Sequence, residues 1–406
     1  MRFNKYSILF FLFFLAGLHA EPKRSVIKIS KTALFETYRF DIIQEDTRYF
    51  YIATNEIEQK YFLSHGIYFE NVIPDIKKFY KKINYLTDYH SNESSLTLLN
   101  SLVFPNFSSV ASIGTSIENR DISAYKITKD ENVSTNCYII GLQHAREWIG
   151  MEVVLSFVQY LYDHKDDENL QSIFFNKVIW LIPIMNPDGL EYTRTTDRLW
   201  RKNRRDNLDG TFGVDLNRNY DFEFLTNSSS NTASETYRGA SAVSEPESKS
   251  LVDLISSQSL GGLLDFHSYS QFILYPWAYT IDSTDHEVVF NNLALEWQKL
   301  IKKVNGRVYE VGQPSKLLNF SSGGTLMDYL YGDFQKLTLA FELPPENTAS
   351  NGFELDPALI KEISNEMLPV LLNFIEVCDE KYLENQSGTN AQNDTVTVSS
   401  GCGLLR

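Results

Sequence analysis

Two near-continuous apolar runs constrain this chain most: CYIIGL (137–142) and KVIWLIPIMN (177–186), with MEVVLSFVQYLYDH (151–164) between them at helical spacing. Strands buried on both faces need such unbroken runs, whereas half-exposed strands alternate. GGLLDFHSYSQFILYP (261–276) and KLTLAFEL (336–343) read as further strands, and PALIKEISNEMLPVLLNFIEVC (357–378) as a closing helix with Pro369 as a point of bending. Strands alternating with helices predict an α/β fold with a mixed, mainly parallel central sheet and helices on both faces.

The ends of the chain have other textures. Residues 1–20 (MRFNKYSILFFLFFLAGLHA) carry Arg2 and Lys5 ahead of a short apolar core, with a cut expected after Ala20. That pattern predicts a signal peptide. No later run is long and charge-free enough to span a bilayer, so no membrane span is expected in the mature chain. Residues 21–82 hold the β-like runs SVIKIS, YRFDII and RYFYIAT and the amphipathic NVIPDIKKFYKKI, but no catalytic cluster. They read as a small α+β unit ahead of a domain over 83–382. Residues 383–406 are polar and Ser/Asn/Gly-rich, which predicts a disordered tail.

A net charge of -15 argues against nucleic acid or an anionic membrane as the main partner. Asn-x-Ser/Thr sequons at Asn92, Asn106, Asn132, Asn227, Asn319, Asn385 and Asn393 agree with a secretory route, outside the cell or to a vacuole. The 3 cysteines, Cys137, Cys378 and Cys402, leave at least one thiol unpaired within the chain. Cys378 with Cys402 is one pairing the sequence leaves open.

Of 7 histidines, only His144 and His267 sit beside strand ends outside the early segments; His90, His164 and His286 lie in polar surroundings. With Glu147, three residues after His144, they supply two imidazoles and a carboxylate. Zinc hydrolases use three such ligands and keep a fourth position for water. HAREW, NPDG, FHSYS and FELPP all fall at strand ends, where open α/β sheets bind ligands.

Six ordered stretches, GLQHAREWIG, IPIMNPDG, RLWRKNRR, GVDLNRNY, LDFHSYSQFILYPW and FELPP, resemble those of the zinc metallocarboxypeptidases of the carboxypeptidase A and B type. The resemblance runs from about residue 85 to Cys378. It implies one zinc ion held by His144, Glu147 and His267, with Glu342 as general base. It implies that Arg201 polarises the scissile carbonyl and that Asn217 and Arg218 grip the terminal carboxylate of a peptide or protein. Asp215 would orient His144, and Arg146 and Tyr269 would line the subsite before the scissile bond. Asp265, two residues before His267, has no direction fixed by the sequence.

Where the family has a tyrosine on a mobile loop, this chain has Phe320, which cannot donate a hydrogen bond to the substrate. The base of the specificity pocket falls on Met327, or on Leu326 with a shifted alignment; either predicts apolar C-terminal residues as the preferred target. Residues 21–82 resemble a short propeptide, with Lys77, Lys78, Lys81 and Lys82 as sites for an activating protease. A monomer is expected. Two other readings stay open: a catalytically silent zinc-binding glycoprotein, and a zinc hydrolase of another amide.

Overall fold

The computed structural model describes residues 23–33, 40–45, 48–76, 88–130, 132–318, 321–346 and 352–390. The expected signal peptide, the lysine pairs, Asn319, Phe320, Asn393 and Cys402 lie outside them. Strands β1 (Ser25–Ser30), β2 (Asp41–Glu45), β3 (Tyr49–Thr54) and β4 (Phe69–Ile73) form an antiparallel sheet in the order β2-β3-β1-β4. The helix Glu56–Ser64 packs Phe62 against Ile27, Ile29 and Ile52. Asn55 and Glu58 start it with a reciprocal capping box. This is the α+β unit expected ahead of the main domain.

Eight strands form the main sheet: β5 (Ser108–Thr115), β6 (Asp121–Ile127), β7 (Thr135–Gly141), β8 (Val178–Ile182), β9 (Ser259–Ser268), β10 (Phe272–Leu274), β11 (Glu310–Gly312) and β12 (Leu337–Leu343). Their order is β11-β10-β12-β9-β7-β8-β6-β5. The central block β12-β9-β7-β8 is parallel. It meets β10 on one side and β6 on the other in antiparallel pairing.

The apolar runs are explained by burial on both faces. Along β7, Cys137 and Ile139 join a cluster with Val154, Phe157, Phe290, Trp297, Val370 and Phe374 from the helices Trp148–Asp163, Glu287–Asn305 and Ile360–Val377. Tyr138 and Ile140 point the other way, into a cluster with Leu251, Ile255, Leu326 and Leu330 from Pro246–Ser256 and Leu326–Phe334. Period-2 alternation thus feeds two cores, which is why Cys137–Ile140 are apolar without a break. The closing helix continues through Pro369. No helix of the described residues is long and apolar enough to cross a membrane.

The structure adds to three of these readings. NPDG, at a strand end, also starts a helix: Asn186 caps Pro187–Thr195 by accepting from the Gly189 N–H, with Pro187 at its first position. The polar tail begins later than residue 383, because the helix Tyr382–Asn390 buries Leu383 against the larger core. The disulfide joins Cys137 on β7 to Cys378 at the end of the closing helix, not Cys378 to Cys402. Sheet and helix packing bring the two Cα atoms to 6.2 Å, a normal bridging distance.

This bond closes a loop of 241 residues. Replacing both cysteines by alanine is expected to lower stability by about 2–5 kcal/mol. A lower urea midpoint would register it, with a steeper slope because the unfolded chain is no longer tied into a loop; an unchanged midpoint would refute it.

Candidate metal centre and active site

The site forms at the carboxyl ends of β7, β9 and β12. His144 lies in the turn after β7, His267 near the end of β9, and Glu147 at the N-cap of the helix Trp148–Asp163. Glu147 makes no side-chain cap to that helix. Forgoing a cap costs about 1 kcal/mol, and the carboxylate is committed elsewhere. Its Oε1 lies 2.9 Å from His144 Nδ1; its Oε2 lies 3.0 Å from His267 Nδ1 and accepts the Ser268 N–H at 3.2 Å. Two glycines permit this docking. A Cβ on Gly150 would stand 2.6 Å from the Phe266 carbonyl, and one on Gly141 2.9 Å from that of Gly150.

The ligand atoms of His144, Glu147 and His267 all lie within 4.8 Å of one another, and all three residues are buried. Asp215 Oδ1 sits 3.0 Å from His144 Nε2, and Asp265 Oδ2 sits 2.7 Å from His267 Nε2. Each carboxylate selects the tautomer with hydrogen on Nε2, which leaves Nδ1 as a bare lone pair. The two Nδ1 atoms then face each other at 3.1 Å. Opposed lone pairs beside a carboxylate repel, and a divalent cation among them removes the conflict. Two imidazoles and one carboxylate suit zinc with one position open.

Burial would push Asp215 upward, but the Arg201 charge, with His144 and Arg218, holds it well below the usual carboxylate range. Asp265 mirrors Asp215, a role visible in hindsight because residues i and i+2 share one face of a strand. Asp265→Asn is expected to weaken zinc affinity about 10–100-fold. Competition with a chromogenic chelator measures it, and unchanged affinity would remove Asp265 from the centre.

Arg201 donates to Asp215 Oδ2 from Nε (3.1 Å) and Nη2 (2.9 Å). This fork turns Nη1 toward the centre, 3.8 Å from Glu147 Oε1. Glu342 stands on β12 opposite His267 in the parallel register, and its carboxylate makes no hydrogen bond among the described residues. Burial pushes its carboxyl up to about 8; the Glu147 charge adds to this, while His267 and Arg201 oppose it.

A cavity of about 740 Å³ joins these groups: His144, His267, Arg201, Asn217, Arg218 and Glu342 all line it. Arg218 is buried, with its Nη1 donating to the Asn217 carbonyl at 2.6 Å and its Nε without a hydrogen-bond partner among the described residues. Asn217 is anchored by the Leu326 N–H. The floor is apolar: Leu274, Ala278, Met327 and Ala340 cluster there, with Phe272 and Leu317 against them. Met327 lines the cavity, whereas Leu326 belongs to the opposite core. Sequence reading missed the rest of the floor, because it comes from four separate elements. Leu318 and Ser321, on either side of Asn319 and Phe320, also line the cavity.

Arg146 lines the cavity wall, its guanidinium 4.0 Å from the centroid of Phe353, and Tyr269 packs on the same ring. Phe40, Ile42 and Phe50 of the N-terminal unit line the cavity too. Among the sequons, Asn106, Asn132, Asn227 and Asn385 are exposed. Asn92 instead donates its amide to the Pro187 carbonyl at 2.9 Å.

Residues 95–370 match the zinc carboxypeptidase family, Peptidase_M14. The chain is 32% identical over 300 residues to mouse (Mus musculus) carboxypeptidase A1, covering 72% of this chain and 70% of that one. It is 31% identical over 295 residues to zinc carboxypeptidase A 1 of Anopheles gambiae, covering 71% and 67%. The crystal structure of carboxypeptidase A from Helicoverpa armigera superposes with a TM-score of 0.71 over 92% of this chain and 100% of that one, at 23% identity, which speaks for the fold. Sequence, fold and the two-histidine, one-carboxylate centre agree, and this chain belongs to the zinc carboxypeptidase family.

Proposed function

We propose that this chain removes single apolar residues from the C-termini of peptides and proteins, with Glu342 as general base. The observation that carries this is one continuous cavity: it holds the metal-ligand histidines and Glu342, then the buried Arg218, and ends on an apolar floor at Met327. Zinc held by His144, Glu147 and His267 supplies Lewis acidity, drawing the pKa of water from about 15.7 toward ~7.

Glu342 takes the proton of the attacking water and returns it to the leaving amine. Nη1 of Arg201, steadied by Asp215, receives the charge that grows on the scissile oxygen. Arg218 and Asn217 bind the terminal carboxylate, which an internal bond lacks. Leu274, Ala278, Met327 and Ala340 offer no charge to a basic side chain, so aliphatic and aromatic residues are preferred. Phe320 has no hydroxyl to add, which leaves the carboxylate to Arg218 and Asn217.

Residues 21–82 act, on this reading, as a prosegment. Phe40, Ile42 and Phe50 reach the cavity, and Val26, Ala53 and Ile76 pack with Leu199. An activating protease cutting near Lys81 and Lys82 would uncover the site. The buried disulfide and the exposed sequons support an oxidising secretory route for a glycoprotein.

The test is mass spectrometry of a peptide ending in leucine, with the chain before and after limited proteolysis near Lys81. Chelator-sensitive release of leucine that rises after cleavage, and none from the C-terminal amide, is the expected result. Trimming of the amide at an equal rate would exclude the carboxylate grip. Bound zinc with no trimming of any peptide would favour the silent relative.

A further inference from the structure

Arg24 precedes β1 in the N-terminal unit, yet its guanidinium is buried among residues of the main domain. Its Nη1 donates to Asp197 Oδ2 at 3.0 Å and approaches the Leu199 carbonyl at 3.4 Å. Its Nη2 lies 3.4 Å from Glu235 Oε1, and the guanidinium carbon stands 5.8 Å from the centroid of Trp200. No side chain among Arg24, Asp197 and Glu235 is more than 9% exposed. Two carboxylates, a carbonyl and an indole ring around one point are the components of a guanidinium site. Asp197, Leu199, Trp200 and Glu235 all belong to the main domain, whereas the cation comes from the N-terminal unit.

The recess belongs to the substrate path. Glu235 also lines the active-site cavity, with Arg146 and Arg201. The Leu199 carbonyl accepts from both Arg24 and Arg146, and the family resemblance implies that Arg146 lines the subsite before the scissile bond. Charge leads to the same place. Lys202 is fully buried, feels the Glu235 charge, and donates to the Thr232 carbonyl at 3.1 Å. Arg24 adds its positive charge directly beside the buried Asp197 and Glu235 carboxylates. Without Arg24, a buried charge would lack its partner, an unfavourable state.

We infer that Asp197, Glu235 and Trp200 form a subsite for a basic side chain of the substrate, upstream of the bond that is cut. Arg24 fills it in the unprocessed chain. The inference rests on the reading of residues 21–82 as a removable prosegment. Its consequence is a dual preference: an apolar C-terminal residue in the Met327 pocket, and an arginine or lysine further back.

The test uses the full chain with Arg24→Ala, which empties the recess without cleavage. The probes are a short acetylated and amidated peptide with one arginine, and the same peptide with citrulline. Neither carries a carboxylate for Arg218, and neither needs to be hydrolysed. Binding is followed by tryptophan fluorescence. In Arg24→Ala the arginine probe should bind at least about tenfold tighter, the factor that ~1.4 kcal/mol sets. The parent chain should show no such preference, and adding Glu235→Gln to Arg24→Ala should abolish it. Equal binding of both probes to Arg24→Ala, or a preference that survives Glu235→Gln, overturns the inference. An arginine preference in the parent chain overturns the assignment of Arg24 as occupant. If Arg24→Ala does not fold, Arg24→Gln provides the same comparison. Failure of the prosegment reading would show separately, as no gain in peptide trimming after cleavage near Lys81, and would leave the binding result standing.

Discussion

Glu342→Gln is expected to keep zinc bound and to lower kcat by about 10²–10⁴-fold, the usual contribution of a positioned general base. The amide nearly matches the carboxylate in size, so the cavity and the pairing of β12 with β9 should persist. Glu342 is not in the ligand group, so metal content should stay at one zinc per chain. KM should change little, because the carboxylate grip and the apolar floor lie elsewhere in the cavity. Zinc content with steady-state kinetics on a leucine-ending peptide tests this. A kcat within about tenfold of the parent would fall below that usual range and move the base role to another residue.

Arg201→Ala is expected to cost about 10²–10³ in kcat, the range for loss of one donor to a developing oxyanion. It has a second consequence, because Arg201 is the fork partner of the buried Asp215. Without the guanidinium, Asp215 loses the strongest of the charges that hold its carboxyl down. Asp215 orients His144, so zinc affinity should also fall, whereas Glu342→Gln should leave it intact. The pair of variants therefore separates proton transfer from charge stabilisation. Should Arg201→Ala bind zinc more weakly yet turn over bound substrate at the parent rate, its part would be to support the metal alone.

Much of the site was legible because its signals are local. His144 and Glu147 are three residues apart, and His267 and Glu342 end apolar runs that only buried strands explain. Asp215 could be named from its motif. Asp265 was visible but undirected, since a strand residue's partner depends on which neighbour the sheet supplies. Asn186 was half read: Asn-Pro is a turn signal and also a helix start, and residues 187–195 decide for the helix by packing Leu190 into the core. The chain after residue 383 is polar on average, yet Leu383 finds a place against the core and holds a helix there.

The sequence by itself determined the α/β alternation and the metal-ligand set, and it named the residues proposed as base and carboxylate grip. Each of these is carried by spacing over a few residues and by strand ends, and both survive any arrangement of the remaining chain. Only the tertiary structure decided the Cys137–Cys378 bond, the placing of Met327 and not Leu326 at the cavity, the direction of Asp265 and the burial of Arg24 against Asp197 and Glu235. Those depend on which strands become neighbours and which faces turn toward which core, and no local period in the chain records that.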